Sequence, residues 1–206
     1  MAKEKTMANA ALRTLLLAVE EVIGENGVKS VLNLAKMGHF IDNYPPNDVE
    51  MGVKFSEYGA VQQAVEDSFG PRGARAILMR IGRKTFQYGL EEQPAILGLA
   101  GLALKLLPTD TRVKLILNKV ADAAIKSTNQ PSHVEEEDKA FIYVAEDCPC
   151  RFRKRELTTP CCFVTVGVLQ QALKWATDKS YDVREISCIN IGGDACRYRI
   201  NKEPIG

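Results

Sequence analysis

Along the first 130 residues apolar positions recur every three or four places. Leu12, Leu15, Leu16, Val19, Val22 and Ile23 make one stripe, closed by Gly24. That spacing predicts an amphipathic helix with a glycine stop. A second short helix is predicted over VKSVLNLAKM, and Pro45-Pro46 in FIDNYPPND enforces an extended loop. Phe55, Tyr58, Val61, Val65 and Phe69 form another stripe, ended by GPRG; Ile77, Leu78, Ile81 and Tyr88 resume the helical period over Ala74 to Tyr88. Ala95 to Leu107 is apolar nearly all round, which predicts a helix buried on most faces, with Gly98 and Gly101 on one side. Such a helix reads as packed core or as the wall of an apolar ligand cavity. After Pro108, Asp110 can cap a helix through Val113, Ile116, Leu117, Val120 and Ala124, which STNQPSH ends.

The period then changes from helical to alternating. KAFIYVAED is β-branched and aromatic, the pattern of a strand, and CPCRFRKRELTTP reads as a loop. CCFVTVGVLQQALKWATDK predicts a helix of about five turns. YDVREISCINI, the turn GGD and ACRYRINKE predict a closing β-hairpin. A helix-rich part followed by strand, helix and two strands implies an α+β class, with a small antiparallel sheet against helices, and residues 1–206 read as a single domain.

Composition removes several function classes. Lys and Arg number 27 against 26 Asp and Glu, so no net field gathers nucleic acid or an anionic membrane. The start lacks the uninterrupted apolar run of a secretory signal. The longest apolar stretch, PAILGLAGLALKLLP, is interrupted by Lys105 and too short to span a bilayer as a helix. A soluble, cytoplasmic chain with no membrane insertion is the expectation. His39 and His133 sit in no motif, and no phosphate-binding, dinucleotide or nucleophile-elbow signature is present. The basic run RFRKRE reads as a solvated loop. Phe141, Tyr143 and Trp175 are candidates for the wall of a cavity as well as for core.

The cysteines change the picture. There are six, and all lie between residues 148 and 196: Cys148, Cys150, Cys161, Cys162, Cys188 and Cys196. In a reducing compartment they are thiols rather than disulfides. A hairpin turning at Gly192-Gly193 sets Cys188 and Cys196 on neighbouring strands, where opposed Cβ atoms lie about 4.5–5.5 Å apart. Cys161 and Cys162 begin a helix, whose unpaired N–H groups favour thiolate. Glu185 is three residues before Cys188, so a regular strand would place the two on opposite faces; joint ligation requires a bulge or a strand end. Metal ligation and a buried thiol pair both remain open on spacing alone. Soft thiolates with one carboxylate suit zinc better than magnesium or calcium.

VREISCINIGGDACRYRI resembles the C-terminal signature of the 4-vinyl reductase domain family, which has a ligand-binding fold similar to the small subunits of the trafficking complex TRAPP. The shared residues are Glu185, Cys188, Gly193-Asp194, Cys196 and Tyr198, with Cys162 and Gly167 upstream in TTPCCFVTVGVLQ; the match covers about residues 140–202. The resemblance implies zinc held by Cys162, Glu185, Cys188 and Cys196, as in phenol-sensing regulators that carry the domain. With four protein ligands the ion would be structural. Cys148, Cys150 and Cys161 exceed that pattern. They are possible additional ligands, replacing Glu185 or supporting an iron–sulfur cluster. The function implied is binding of a small hydrophobic molecule, whether aromatic, tetrapyrrole or acyl chain, at Gly98, Gly101, Phe141 and Tyr143. The alternative is an enzyme or accessory factor reducing a vinyl group on a bacteriochlorophyll precursor. Domains of this fold often pair, and the Leu12–Ile23 stripe offers a self-complementary face, so a homodimer is expected.

Overall fold

The computed structural model describes residues 4–93, 107–153 and 158–205. The Ala95–Leu107 expectation, with Gly98 and Gly101, therefore lies almost wholly outside the described residues, as do Lys154 and Arg155. Helix α1 (Asn9–Ile23) ends at Gly24, whose φ of 80° is a left-handed conformation open to glycine; α2 (Glu25–Leu34) starts immediately after it. The short strands β1 (Thr6–Met7) and β2 (Val53–Lys54) pair antiparallel and clasp the start of α1 to the start of α3. Helix α3 (Phe55–Glu92) unites the two predicted stripes across a kink at Gly70, where φ is 70°, followed by Pro71. Gly70 leaves helical geometry altogether, with ψ 162°, so GPRG ends one helical segment as expected and Pro71 opens the next within the same span.

Helix α4 (Thr109–Thr128) leads into a four-stranded antiparallel sheet of order β3-β4-β6-β5. Its strands are β3 (Ser132–Glu136), β4 (Ala140–Ala145), β5 (Val183–Ser187) and β6 (Cys196–Asn201), and α5 (Phe163–Thr177) separates β4 from β5. Every residue of β4 is buried. Phe141, Tyr143 and Ala145 face the helices, while Ile142 and Val144 pack with Ala195 on the other face. That outer face is covered by long side chains: Arg197 reaches Glu135 and Arg199 reaches Glu137 across β4.

Two cores result. One joins Leu12, Leu15, Leu16 and Val19 to Phe55, Val65, Leu78 and Ile81. The second joins Ile116 and Leu117, the helix face of the sheet, Leu169, Leu173 and all six cysteines. Helices α3 and α5 join the two cores and cross at Gly82 and Gly167. A Cβ at either would run into a carbonyl oxygen opposite, Val164 O or Met79 O. The α1 stripe is used up inside the chain, since Leu12, Leu15, Leu16 and Val19 are fully buried. The homodimer expected from that stripe loses its surface.

Candidate functional site

Three segments bring the cysteines together. Cys148 and Cys150 flank the start of a 3₁₀ turn (Pro149–Phe152) that follows β4. Cys161 and Cys162 lead into α5, with Cys162 at its N-cap. Cys188 caps a 3₁₀ turn (Ile189–Ile191) beyond β5, and Cys196 opens β6. The hairpin between them turns at Gly192, with φ 92°, and at Gly193, where any Cβ would meet Ser187 Oγ and the Cys188 carbonyl. Cys188 has left the strand, so it does not oppose Cys196 in a ladder. Instead both sulfurs point to one place.

All six thiols are buried, and Cys188 and Cys196 are 0 % exposed. The Sγ–Sγ separations are 3.7 Å for Cys148–Cys162, 3.5 Å for Cys150–Cys196 and 3.8 Å for both Cys150–Cys188 and Cys162–Cys196. Cys161 and Cys162 lie 3.9 and 4.0 Å from Cys188. Two backbone N–H groups donate to sulfur at 3.5 Å, Cys150 to Cys148 and Ile189 to Cys196. Glu185 Oε2 accepts from the Cys162 N–H at 2.7 Å; Oε1 is buried with no hydrogen-bond partner. The facing problem of Glu185 and Cys188 is solved by a bulge. Glu185 pairs with Tyr198 and Ser187 with Arg197, leaving Ile186 as the extra residue, turned outward and 53 % exposed.

Two four-donor groups have ligand atoms all within 4.8 Å of one another: Cys162, Glu185, Cys188, Cys196 and Cys148, Cys150, Cys162, Cys196. The first contains the residues singled out in the sequence; the second draws in the extra thiols. The thiols share their protons unequally. Cys188 is held well below the ordinary thiol value by S–H donation from Cys150, Cys161 and Cys162, and Cys148 by donation from Cys150, Cys162 and Cys196. Cys162 is correspondingly raised by its donation to Cys148 and Cys150. Burial, then the negative charge of Cys188, pushes the Glu185 carboxyl up to about 9.

Behind the same sheet lies an apolar cavity of about 190 Å³ between α1, α3, α4, α5 and β4. Tyr143 forms part of its wall, with Tyr58, Phe86, Val120, Val164 and Val168. Phe141 does not line it; its ring packs in the core beneath Lys202 Nζ at 4.9 Å. Tyr143 meets Tyr198 edge to face at 6.0 Å, which connects the cavity wall to the cross-strand partner of Glu185. Trp175 packs against Phe86 at 6.3 Å. Neither histidine approaches either site: His39 is exposed on a 3₁₀ turn (Gly38–Phe40), and His133 lies on β3 between Glu135 and Glu146.

Sequence reasoning missed Arg153. The RFRKRE loop was expected to be solvated, yet the Arg153 side chain is fully buried, paired with Glu66 and donating to Gln63 Oε1 at 3.2 Å and to the Cys161 carbonyl at 3.1 Å. Arg151 pairs with Asp147 at 3.0 Å and is 45 % exposed. Nothing in the basic run distinguishes the buried arginine from the exposed one.

No protein-family model matches the chain, and no curated protein sequence matches it. Solved structures do. An H-NOX protein from S. oneidensis in the Fe(II)NO ligation state is 16 % identical over 97 % of this chain and 100 % of its own, with a TM-score of 0.59. A structure on modulating heme redox potential through protein-induced porphyrin distortion is 13 % identical, covering 97 % of both chains at 0.58. The phenol-responsive sensory domain of the transcription activator PoxR, with phenol, is 17 % identical over 75 % of this chain and 77 % of its own, at 0.52. At these identities the likeness is one of fold. The fold is α+β, with a helical N-terminal part and an antiparallel sheet as in H-NOX proteins.

This corrects the family reading. The whole-length likeness is to H-NOX proteins, so the assignment to 4-vinyl reductase domains, the TRAPP-like label and the vinyl-reductase alternative are withdrawn. The zinc ion implied by that resemblance loses its support with it, and the iron–sulfur alternative, drawn from the extra Cys148, Cys150 and Cys161, finds none in these neighbours. What the structure itself contains is the cysteine cluster. Among the described residues no helix is long and apolar enough to cross a membrane.

Proposed function

We propose that this chain is a metal-thiolate domain on an H-NOX-like frame: the cysteine cluster takes up a soft metal ion, which fixes the β5–β6 hairpin and the Cys148–Cys150 turn onto the head of α5. One observation carries this. Metal–sulfur bonds of about 2.3 Å at tetrahedral angles place sulfurs about 3.8 Å apart; six sulfur pairs lie 3.5 to 4.0 Å apart, and the donor atoms of each four-donor group lie within 4.8 Å of one another. Thiols alone pack well as small hydrophobes, but a core of thiols does not account for the Glu185 carboxylate buried beside them with its Oε1 unpartnered. A four-iron cluster is wider than one atom and would have to push these sulfurs apart. The chain's own residues do the rest: N–H groups of Cys150 and Ile189 support the ligating sulfurs, and the Cys162 N–H orients Glu185.

Cobalt(II), added anaerobically to the reduced metal-free protein, should give thiolate-to-metal charge transfer and tetrahedral ligand-field bands. Cys196→Ser should weaken both and lower the melting temperature of the loaded form. Six freely titrating thiols in the presence of excess cobalt would sink the reading.

Heme, named for a structural neighbour, does not fit the described residues. Axial ligands to heme iron are His, Cys, Met or Tyr. His39 and His133 face away from the cavity, the cysteines are packed against one another, and the cavity wall holds only Tyr58 and Tyr143 of that set. Its 190 Å³ is also below the roughly 300–1,000 Å³ that drug-sized ligands occupy.

The same volume favours a second, compatible reading. A cavity of about 150 Å³ is enough for benzene, so this one has room for a single-ring molecule. Phenol is the natural probe, since the PoxR domain is described with it. Saturable phenol binding by calorimetry is expected. Ala123→Phe, which fills the cavity from α4, should abolish it while leaving cobalt uptake unchanged. Equal binding by that variant would put the phenol elsewhere.

A further inference from the structure

The two donor groups overlap. Each contains Cys162 and Cys196, whose sulfurs are 3.8 Å apart. Cys148 and Cys150 complete one group, Cys188 and Glu185 the other. A single tetrahedral ion satisfies four donors, and seven converge here once Cys161 is included, 3.9 Å from Cys188. One ion in the all-cysteine group would leave Cys188 as a buried thiol and Glu185 Oε1 without any partner. One ion in the other group would strand Cys148 and Cys150 instead. One ion held by Cys150, Cys162, Cys188 and Cys196, which also lie within reach of one another, would strand Cys148 and Glu185. No single ion uses what the fold has assembled.

We propose that the centre is dinuclear: two soft divalent ions share the Cys162 and Cys196 sulfurs as bridges, one ion completed by Cys148 and Cys150, the other by Cys188 and Glu185. This rests on the thiolate-metal reading above. Two tetrahedra sharing one edge need six donors, and the two groups supply six distinct residues; Cys150 and Cys188, 3.8 Å apart and terminal on different ions, must move apart as the second ion enters. The edge they share must be a sulfur pair, since thiolates bridge soft metals more readily than carboxylates, and it is.

Charge supports the same count. One dication with four thiolates carries a net charge of −2, and two dications with five thiolates and one carboxylate carry the same. The second ion therefore adds no buried charge; it neutralises Cys188 and Glu185 where they stand. The residual negative charge meets the N–H groups of Cys150 and Ile189 and the head of α5 at Cys162. Arg153, whose guanidinium donates to the Cys161 carbonyl, brings a buried positive charge to the cluster's edge.

The test is a titration of the full, reduced, metal-free chain with Co²⁺ and, separately, ¹¹³Cd²⁺. Two equivalents should remain bound after gel filtration. The electron paramagnetic resonance signal of cobalt should grow through the first equivalent and fall through the second, as the ions couple through the shared sulfurs. Cadmium should give two resonances of equal intensity, one at the low field of four sulfurs and one shifted upfield by its oxygen ligand. Glu185→Gln, close to isosteric and spared the packing loss of a cysteine change, should move or remove only the upfield resonance.

Saturation at one equivalent would overturn the dinuclear centre and leave the metal-thiolate reading standing. No retained metal would overturn both. Two equivalents with undiminished signal per cobalt would mean separate, unbridged sites and would likewise overturn it. Unchanged resonances in Glu185→Gln would remove Glu185 from the ligands and overturn the donor set of the second ion.

Discussion

Arg153 stands in a basic run, and its guanidinium is nonetheless shut inside, between Glu66 and Gln63 of α3 and the Cys161 carbonyl. A buried cation costs several kcal/mol in desolvation unless its partners offset it. Burial works against its charge, but the neighbouring Cys161 and Glu66 hold its pKa above the ordinary value. The pair thus fixes the cysteine-bearing loop to α3 at one place. Arg153→Met should cost about 3–5 kcal/mol, because it removes the Arg153 charge from the buried Glu66 carboxylate. Adding Glu66→Leu should recover most of that loss. Urea unfolding measures both, and a double variant no more stable than Arg153→Met would show that the pair matters for its packing rather than for charge compensation.

At the scale of elements, periodicity made most helices and β4 readable, because a stripe at 3.6 and an alternation at 2.0 report burial directly. Strand β3 was not readable: Ser132 and Val134 are its only inward candidates, and His133, Glu135 and Glu136 face solvent on an edge. The convergence of the cysteines was legible in part. Clustering between 148 and 196 signalled a site, but the bulge at Ile186 and the pull of Cys148 and Cys150 into the centre are tertiary outcomes without a local signature. The α3–α5 crossing was equally silent, since Gly82 and Gly167 look like ordinary helix glycines until backbones meet there. Gly82→Ala forces a methyl group against the Val164 carbonyl and should destabilise by about 3 kcal/mol. In an open helix the same change would stabilise by up to about 1 kcal/mol, so a rise in melting temperature would count against the crossing as the reason for glycine here.

Across the whole molecule, Glu136 ties three parts together, accepting from Lys114 of α4 at 2.7 Å and from Lys202 beyond β6 at 2.9 Å. The Lys114 and Lys202 ammonium groups hold its carboxyl down from 4.5 to about 2. A lowered pKa means stability that is fully present above 4.5 and is lost as the pH falls from there through about 2. Glu136→Gln should therefore melt below the wild type at neutral pH, and the gap should close on acidification through that window. The group is exposed, so added salt should shrink the gap at every pH. A gap that persists unchanged at pH 2 would exclude the charge as its origin.

The sheet order β3-β4-β6-β5 places β6 inside the sheet, although it follows every other described strand in the chain. Synthesis from the N-terminus thus delivers the keystone last. Until β6 arrives, β4 has an open edge and Phe141 and Tyr143 lack Ile200 and Tyr198 beside them. Cys148, Cys150, Cys161 and Cys162 meanwhile wait without Cys196. In that interval the β4 edge is open to stray pairing and the four upstream cysteines lack their partners from the hairpin. A chain cut before Cys196 would be held in that interval permanently, which makes the last described strand the point at which a translation product becomes a protein.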